Sequence, residues 1–267
     1  MTPQYFDIHS HVTFKDYDQD LEEVLVRMKE EAVHTITVGV DYVTSKEAVA
    51  FAETHEGFYA TIGLHPTDTV SETFSVSDYQ ELAKHPKTVG VGECGVDYFR
   101  LEGDATEEKK RQWNEFEKQM QFAIDNDLPM MIHCRPKKGT VDAYEEMATR
   151  LESEFKRVGE KLRGNVHFFV GNVDVARRFY DIGFTTSFTG VVTFAREYDE
   201  VIQFAPTNML MTETDSPYAS PVPFRGKRNE PVYVKYIVEA LARIKGSDVP
   251  HMERALVANA QRVFRLS

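Results

Sequence analysis

Phe6-Asp7-Ile8-His9-Ser10-His11 sets two histidines one residue apart at the end of a short apolar run. In a strand, side chains at i and i+2 point to the same face, so His9 and His11 project together. Two neutral imidazoles converging on one point are half of a transition-metal site. Further ligand types follow in regular order: Glu93 in Gly92-Glu93-Cys94-Gly95, then His133, His167 and Asp215. Together they could serve two cations, because each oxygen of a carboxylate can bind one metal. Glu93 is the candidate bridge, since it lies in chain order between His9/His11 and His133/His167, and Asp215 closes the set.

These residues sit where short apolar runs end. Strands are expected at Tyr5–Ile8, Thr35–Gly39, Tyr59–Ile62, Val89–Val91, Met130–Ile132, Val166–Phe168, Thr185–Phe188 and Met209–Met211. Amphipathic patterns between them predict helices over Asp20–Glu31, Thr106–Asn126, Ala143–Val158, Asp174–Tyr180, Pro231–Ile244 and Met252–Phe264. Ser77 is read as capping a helix that runs to Lys84, and Ser247 or Asp248 as capping the last one. Strands alternating with helices in this way predict an α/β fold, a (β/α)8 TIM barrel, over a single domain of residues 1–267. In such a barrel the C-terminal strand ends share one face, where the chemistry is placed. Irregular stretches are expected at Gly95–Ala105 and Ser216–Glu230, on that face.

The chain has 267 residues, 42% hydrophobic and 28% charged, enough to bury a large core without covalent staples. No apolar run approaches the roughly 20 residues needed to span a bilayer, and nothing resembles a signal peptide. Two cysteines, Cys94 and Cys134, make no disulfide framework, so a cytoplasmic location is expected. The net charge of −12 argues against a passive nucleic-acid binder, though not against an enzyme that meets phosphate through bound cations. Alternation turns Cys94 and Cys134 away from the ligands, as packing residues. Lys137-Lys138 reads as a solvated helix entry.

Several motifs together resemble the TatD-type metal-dependent deoxyribonucleases, within the amidohydrolase-like barrels. They are the His9/His11 segment, Gly63-Leu64-His65-Pro66, Gly92-Glu93-Cys94-Gly95-Val96-Asp97-Tyr98, Pro129-Met130-Met131-Ile132-His133-Cys134-Arg135, Glu213-Thr214-Asp215-Ser216-Pro217-Tyr218 and Arg225-Gly226-Lys227-Arg228-Asn229-Glu230-Pro231. The resemblance implies that His9, His11, Glu93 and Asp215 hold one divalent metal, and that Glu93, His133 and His167 hold the second. The family commonly follows the strand-six histidine with Cys-Phe, whereas this chain reads His167-Phe168-Phe169-Val170.

The implied activity is hydrolysis of DNA phosphodiesters, from single-stranded or frayed 3′ ends, with Asp215 as general base. Glu213 lies on the same strand face and is read as a carboxylate standing behind the metal ligands or holding an additional metal, or equally as a buried acid paired to a base. Arg225 and Arg228 carry guanidinium forks suited to phosphate, and their motif points to substrate contact, as do His65 and Arg135. The mixed nitrogen and oxygen donors suit Zn, Mn, Fe, Co, Ni or Mg. The same metals would also serve an amidohydrolase-like enzyme acting on an amide, ester or lactone, or a D-aminoacyl-tRNA deacylase. Such barrel hydrolases often carry a carboxylated lysine where this chain has Glu93.

Overall fold

In the computed structural model, which describes residues 2–101 and 104–266, strands and helices alternate along the chain. The strands are β1 (Tyr5–Ser10), β2 (Val33–Val38), β3 (Phe58–Ile62), β4 (Thr88–Asp97), β5 (Met130–Arg135), β6 (Gly164–Val166), β7 (Thr185–Phe188) and β8 (Leu210–Thr212). The helices are α1 (Leu21–Glu30), α2 (Tyr42–Thr54), α3 (Val76–Ala83), α4 (Ala105–Asp125), α5 (Asp142–Val158), α6 (Val173–Asp181), α7 (Asp199–Phe204), α8 (Val234–Lys245) and α9 (Val249–Phe264). The strands form one eight-stranded sheet in sequence order, every neighbouring pair parallel. The chain segments that follow β1 and β8 draw the sheet round: Ser10 bridges Ser216, His11 N donates to Ser216 O at 2.8 Å, and Asp215 N donates to His9 O at 2.9 Å. This is a TIM barrel, as the alternation predicts.

Two apolar clusters hold it. The larger lies between the sheet and the helices and includes Trp113, Phe116, Phe122, Tyr144, Phe169 and Phe179. The smaller fills the barrel interior with Phe6, Ile8, Ile36, Val38, Met131 and Met211, and α9 packs against it through Val257, Ala260, Val263 and Phe264. That plug leaves the opposite end, at the strand C-termini, for polar residues.

The elements differ from the sequence-based expectation in instructive places. Helix α2 carries no strong apolar stripe, because its buried positions are Ser45, Ala48, Val49 and Ala52. It is set instead by a capping box, in which Asp41 Oδ1 accepts from Thr44 N at 2.7 Å and Asp41 N donates to Thr44 Oγ1 at 3.0 Å. Helix α7 is short and was not expected either. Helix α3 starts with Ser75 at its N-cap position, so Ser77 lies inside it, whereas Asp248 does cap α9 through His251 N at 2.8 Å.

Strand β4 continues through Asp97, where an irregular stretch was expected from Gly95 onward; Glu102 and Gly103 of that stretch lie outside the described residues. The glycines there are needed by the sheet. A Cβ on Gly95, whose φ is +148°, would fall 1.8 Å from the His133 carbonyl oxygen. Strand β6 stops at Val166, so His167 is the first residue beyond it.

Candidate metal centre

Both strands that carry the central ligands are bulged. Asp7 pairs with Thr35 and Ser10 with Thr37, so three steps on β1 span two on β2. Likewise Val91 pairs with Met130 and Cys94 with Ile132. A bulge re-aims the side chain it contains, and the bulged residues include His9 and Glu93. The buried Asp7 pins β1 beside this point: Oδ1 accepts from His9 N at 3.2 Å and Thr214 N at 2.8 Å, and Oδ2 accepts from Thr214 Oγ1 at 2.5 Å.

The structure brings His9, His11, Glu93, His133, His167 and Asp215 to one place. His9 Nε2 lies 3.2 Å from His11 Nε2, 3.3 Å from Glu93 Oε2 and 3.7 Å from Asp215 Oδ1. His11 Nε2 lies 3.9 Å from Glu93 Oε2 and 3.6 Å from Asp215 Oδ1. The other carboxylate oxygen, Glu93 Oε1, lies 2.7 Å from His133 Nδ1, 2.8 Å from His167 Nε2 and 3.5 Å from His65 Nε2. Glu93 thus turns one oxygen to each histidine group.

The hydrogen bonds behind the rings suit cation binding. His11 Nδ1 lies 3.1 Å from Val38 O, and a carbonyl oxygen can only accept, so the ring proton is on Nδ1. His11 Nε2 faces Glu93 Oε2 and Asp215 Oδ1. An imidazole whose outward nitrogen is anchored by a carbonyl presents its other nitrogen in a fixed direction, as cation ligands require. His133 is oriented in the same fashion, its Nε2 3.2 Å from Asp97 Oδ2 and its Nδ1 turned to Glu93. The donor set fits divalent cations on both sides of Glu93.

Electrostatics follow from this crowding. Burial opposes ionisation of Glu93, but His167, His65 and His9 outweigh it and hold the carboxyl well below its usual range. Asp215 is also lowered against its burial, by His11 and His9. Burial and the neighbouring His167 push His9 down. His133 is raised although burial alone would lower it, through its hydrogen bonds to Asp97 and Glu93.

His11, Glu93, His133, His167 and Asp215 open onto a cavity of about 770 Å³ at the strand C-termini, lined also by His65, Arg135, Phe99, Phe168, Tyr198 and Tyr218, with the fully buried His9 behind them. His65 Nε2 also lies 3.3 Å from His133 Nδ1, which places it at the edge of the ligand set itself. Cys94 and Cys134 are buried in the larger apolar cluster, and burial pushes both thiols up.

Two expectations, for Arg225 and Arg228, need correction, and a third, for Glu213, is decided between its two readings in favour of the buried acid. Glu213 does not line the cavity. It is fully buried, and its carboxylate accepts from Phe168 N at 2.5 Å and Ser187 Oγ at 2.7 Å, with His167 Nδ1 3.5 Å away. It positions His167 and its loop. Arg228 does not reach the cavity either, because its guanidinium is spent on Asp20 at 2.6 and 2.7 Å and on Glu230 at 3.2 Å. Arg225 lies over the Phe194 ring, 3.7 Å from its centroid, also away from the cavity.

Sequence reasoning gave no role to several residues that support the ligands. In α4, Gln119 clamps Leu64, accepting from its N at 2.7 Å and donating to its O at 3.0 Å, next to His65. Gln112, on the same helix face, accepts from Asp97 N at 2.8 Å. The buried Asn229 donates to Thr214 O at 2.9 Å and to Tyr218 O at 2.6 Å, on either side of Asp215. Polar residues on the inward stripe of an otherwise apolar helix, and an asparagine inside a matched motif, were the available signals.

The TatD-related DNase family model matches residues 6–265. The chain belongs to this family. A metal-dependent hydrolase of Bacillus subtilis, the uncharacterized YabD, is 38% identical over 98% of this chain and 99% of its own length. The 3′-5′ ssDNA/RNA exonuclease TatD of Cronobacter sakazakii is 30% identical over 97% of each. Among solved structures, the TatD homolog YjjV of Escherichia coli superposes with a TM-score of 0.87 at 26% identity, covering 100% of both chains. This TatD-family barrel is accordingly a metal-dependent hydrolase. Among the described residues no helix is long and apolar enough to cross a membrane.

Proposed function

We propose that this chain hydrolyses phosphodiester bonds in DNA, removing nucleotides from single-stranded or frayed 3′ ends, with two divalent cations held on either side of Glu93. The observation that carries this reading is the division of the Glu93 carboxylate, Oε2 toward His9 at 3.3 Å and Oε1 toward His133 and His167 at 2.7 and 2.8 Å. His9, His11, Glu93 and Asp215 would hold one cation, and Glu93, His133 and His167 the other; Zn, Mn, Fe, Co, Ni and Mg all accept such donors. When bound, the cations supply the charge that makes water acidic and neutralises a phosphate in an acidic chain. The name of the Cronobacter relative, an exonuclease of single-stranded DNA and RNA, supports the substrate class.

The chain's own residues do the remainder. Asp215, kept ionised by His11 and His9, takes a proton from the attacking water. Asp97 keeps the His133 ring in place, and Glu213 does so for His167. His65 and Arg135 stand on the cavity wall to bind the non-bridging phosphate oxygens.

The test is metal-stripped protein reloaded with single cations and offered 3′-end-labelled single-stranded DNA, blunt duplex, closed circular DNA, RNA, aminoacyl-tRNA and a panel of amides and lactones. Metal-dependent release of 3′ mononucleotides from the single strand is expected. Rapid cleavage of the closed circle would make it an endonuclease. Inactivity on all nucleic acids with turnover of an amide, a lactone or a D-aminoacyl ester would replace the reading.

A further inference from the structure

The cavity is electrically lopsided. Its carboxylates, Asp68, Glu93 and Asp215, lie on the β3 side and at the metal centre, whereas its cations come from the end of β5 (Arg135) and from the segments that follow β4 (Arg100) and β5 (Lys137 and Lys138). In a chain of net charge −12, basic side chains are ordinarily spent on carboxylates, as Arg228 is on Asp20. Arg135, Lys137 and Lys138 have no ion-pair partner among the described residues; Arg135 is instead stacked on Phe99, 4.1 Å from its ring centroid. Among the described residues Arg100 has one ion-pair partner, Asp97, at 4.0 Å.

The loop that carries the lysines is prebuilt. Asp142 Oδ1 accepts from Lys137 N at 3.1 Å and from Thr140 Oγ1 at 2.8 Å, and Thr140 N donates to Lys137 O at 3.0 Å. Gly139 completes the turn at a φ of +79°. Holding cations at a cavity mouth without partners costs little in water, but it focuses positive potential on whatever anion enters. The basic wall therefore lies beside the metal centre as a separate feature of the same cavity.

Resting on the phosphodiesterase reading above, we infer that this wall holds a second phosphate subsite: Lys137 and Lys138 bind the backbone phosphate next to the scissile one. The substrate is then a strand with at least one further linkage on the 5′ side of the bond cut, and a lone nucleotide ester lacks the second anchor. Lys137-Lys138 is a binding element rather than the solvated helix entry its sequence suggests.

The experiment uses the whole metal-loaded chain and short fluorescent oligothymidylates, read by anisotropy. Every oligonucleotide carries a phosphorothioate at the 3′-terminal linkage to slow cleavage, and the second linkage is either a phosphate or a neutral methylphosphonate. The expected penalty in Kd for the methylphosphonate is about tenfold in the wild type. It falls to about one in the double variant Lys137→Ala/Lys138→Ala and returns in Lys137→Arg/Lys138→Arg. The salt dependence of log Kd should lose about 0.7 per phosphate contact removed. An equal penalty in wild type and double variant overturns the subsite, as does no penalty in a wild type that cleaves single-stranded DNA. The expected pattern together with no cleavage under any metal overturns the phosphodiesterase reading alone. No binding of either oligonucleotide overturns both.

Discussion

Asn229 donates from its side-chain amide to the carbonyl oxygen of Thr214 at 2.9 Å, and so holds the backbone immediately before Asp215. The same nitrogen reaches Tyr218 O at 2.6 Å, while Tyr17 Oη donates to Asn229 O at 2.7 Å. Around it Arg228 and Arg27 share the Glu230 carboxylate, at 3.2 and 2.9 Å. The segment that looks like a phosphate-binding loop by composition is a brace for the loop after β8. Asp215 needs one, since its φ of +52° lies in the left-handed region.

Asn229→Ala is accordingly expected to cost about 1–3 kcal/mol, the range for leaving buried carbonyls without a donor. Urea unfolding measures the loss, and turnover should fall further than stability alone explains because Asp215 shifts. A variant with wild-type unfolding and wild-type kcat would show that the brace is dispensable.

Glu93→Ala removes the group facing both histidine sets. The folded barrel should persist by circular dichroism, bound metal should drop by elemental analysis, and kcat should fall by more than about a hundredfold. Activity above about a tenth of wild type would mean that the chemistry lies elsewhere.

Gly95→Ala tests the close approach of β4 to β5. With the His133 carbonyl oxygen 1.8 Å from the added Cβ, the strands must part. A destabilisation of more than about 3 kcal/mol, or insoluble protein, is expected. A soluble variant with an unchanged Tm would show that β4 relaxes freely there.

Arg228→Ala should leave KM for DNA unchanged but lower the Tm, because the side chain braces α1 rather than lining the cavity. The hydrogen bond from Arg228 holds the Asp20 carboxyl below its usual value. A depressed carboxyl stabilises the fold above its unfolded pKa and loses that contribution as pH falls through the folded value. The difference in Tm between wild type and variant is thus full near neutrality and shrinks below about pH 3.8, the ordinary aspartate value. A difference that stays constant down to acid pH, or a raised KM, would contradict this role.

Much of the barrel was legible because its strands are short apolar runs with the candidate ligands in or just beyond their C-terminal halves. The spacing of His9 and His11 predicts that they project together, and the position of the other candidates near strand ends predicts that all gather on one face, as they do. What stayed hidden has physical reasons. Helix α2 buries alanine and serine, which leave no apolar stripe. Glycines at Gly92 and Gly95 look like a loop unless the neighbouring strand that crowds them is known. An arginine's type does not reveal whether it faces phosphate or carboxylate, so Arg228, which meets Asp20 and Glu230, was misplaced. The partners Asp97, Gln112 and Gln119 act through contacts that only the fold creates.

The seam between the two ends of the barrel has a consequence for how the protein is born. One group of candidate ligands joins His9 and His11 from the start of the chain to Asp215 from near its end, through the Asp7–Thr214 and His11–Ser216 bonds. The other draws on Glu93, His133 and His167, all from the middle. On the ribosome the middle group can gather while the tail is still unmade, but the first group cannot close until residue 216 has left the exit tunnel. A nascent chain therefore carries its leading histidines open through most of its synthesis, and the centre becomes complete only when the last strand docks.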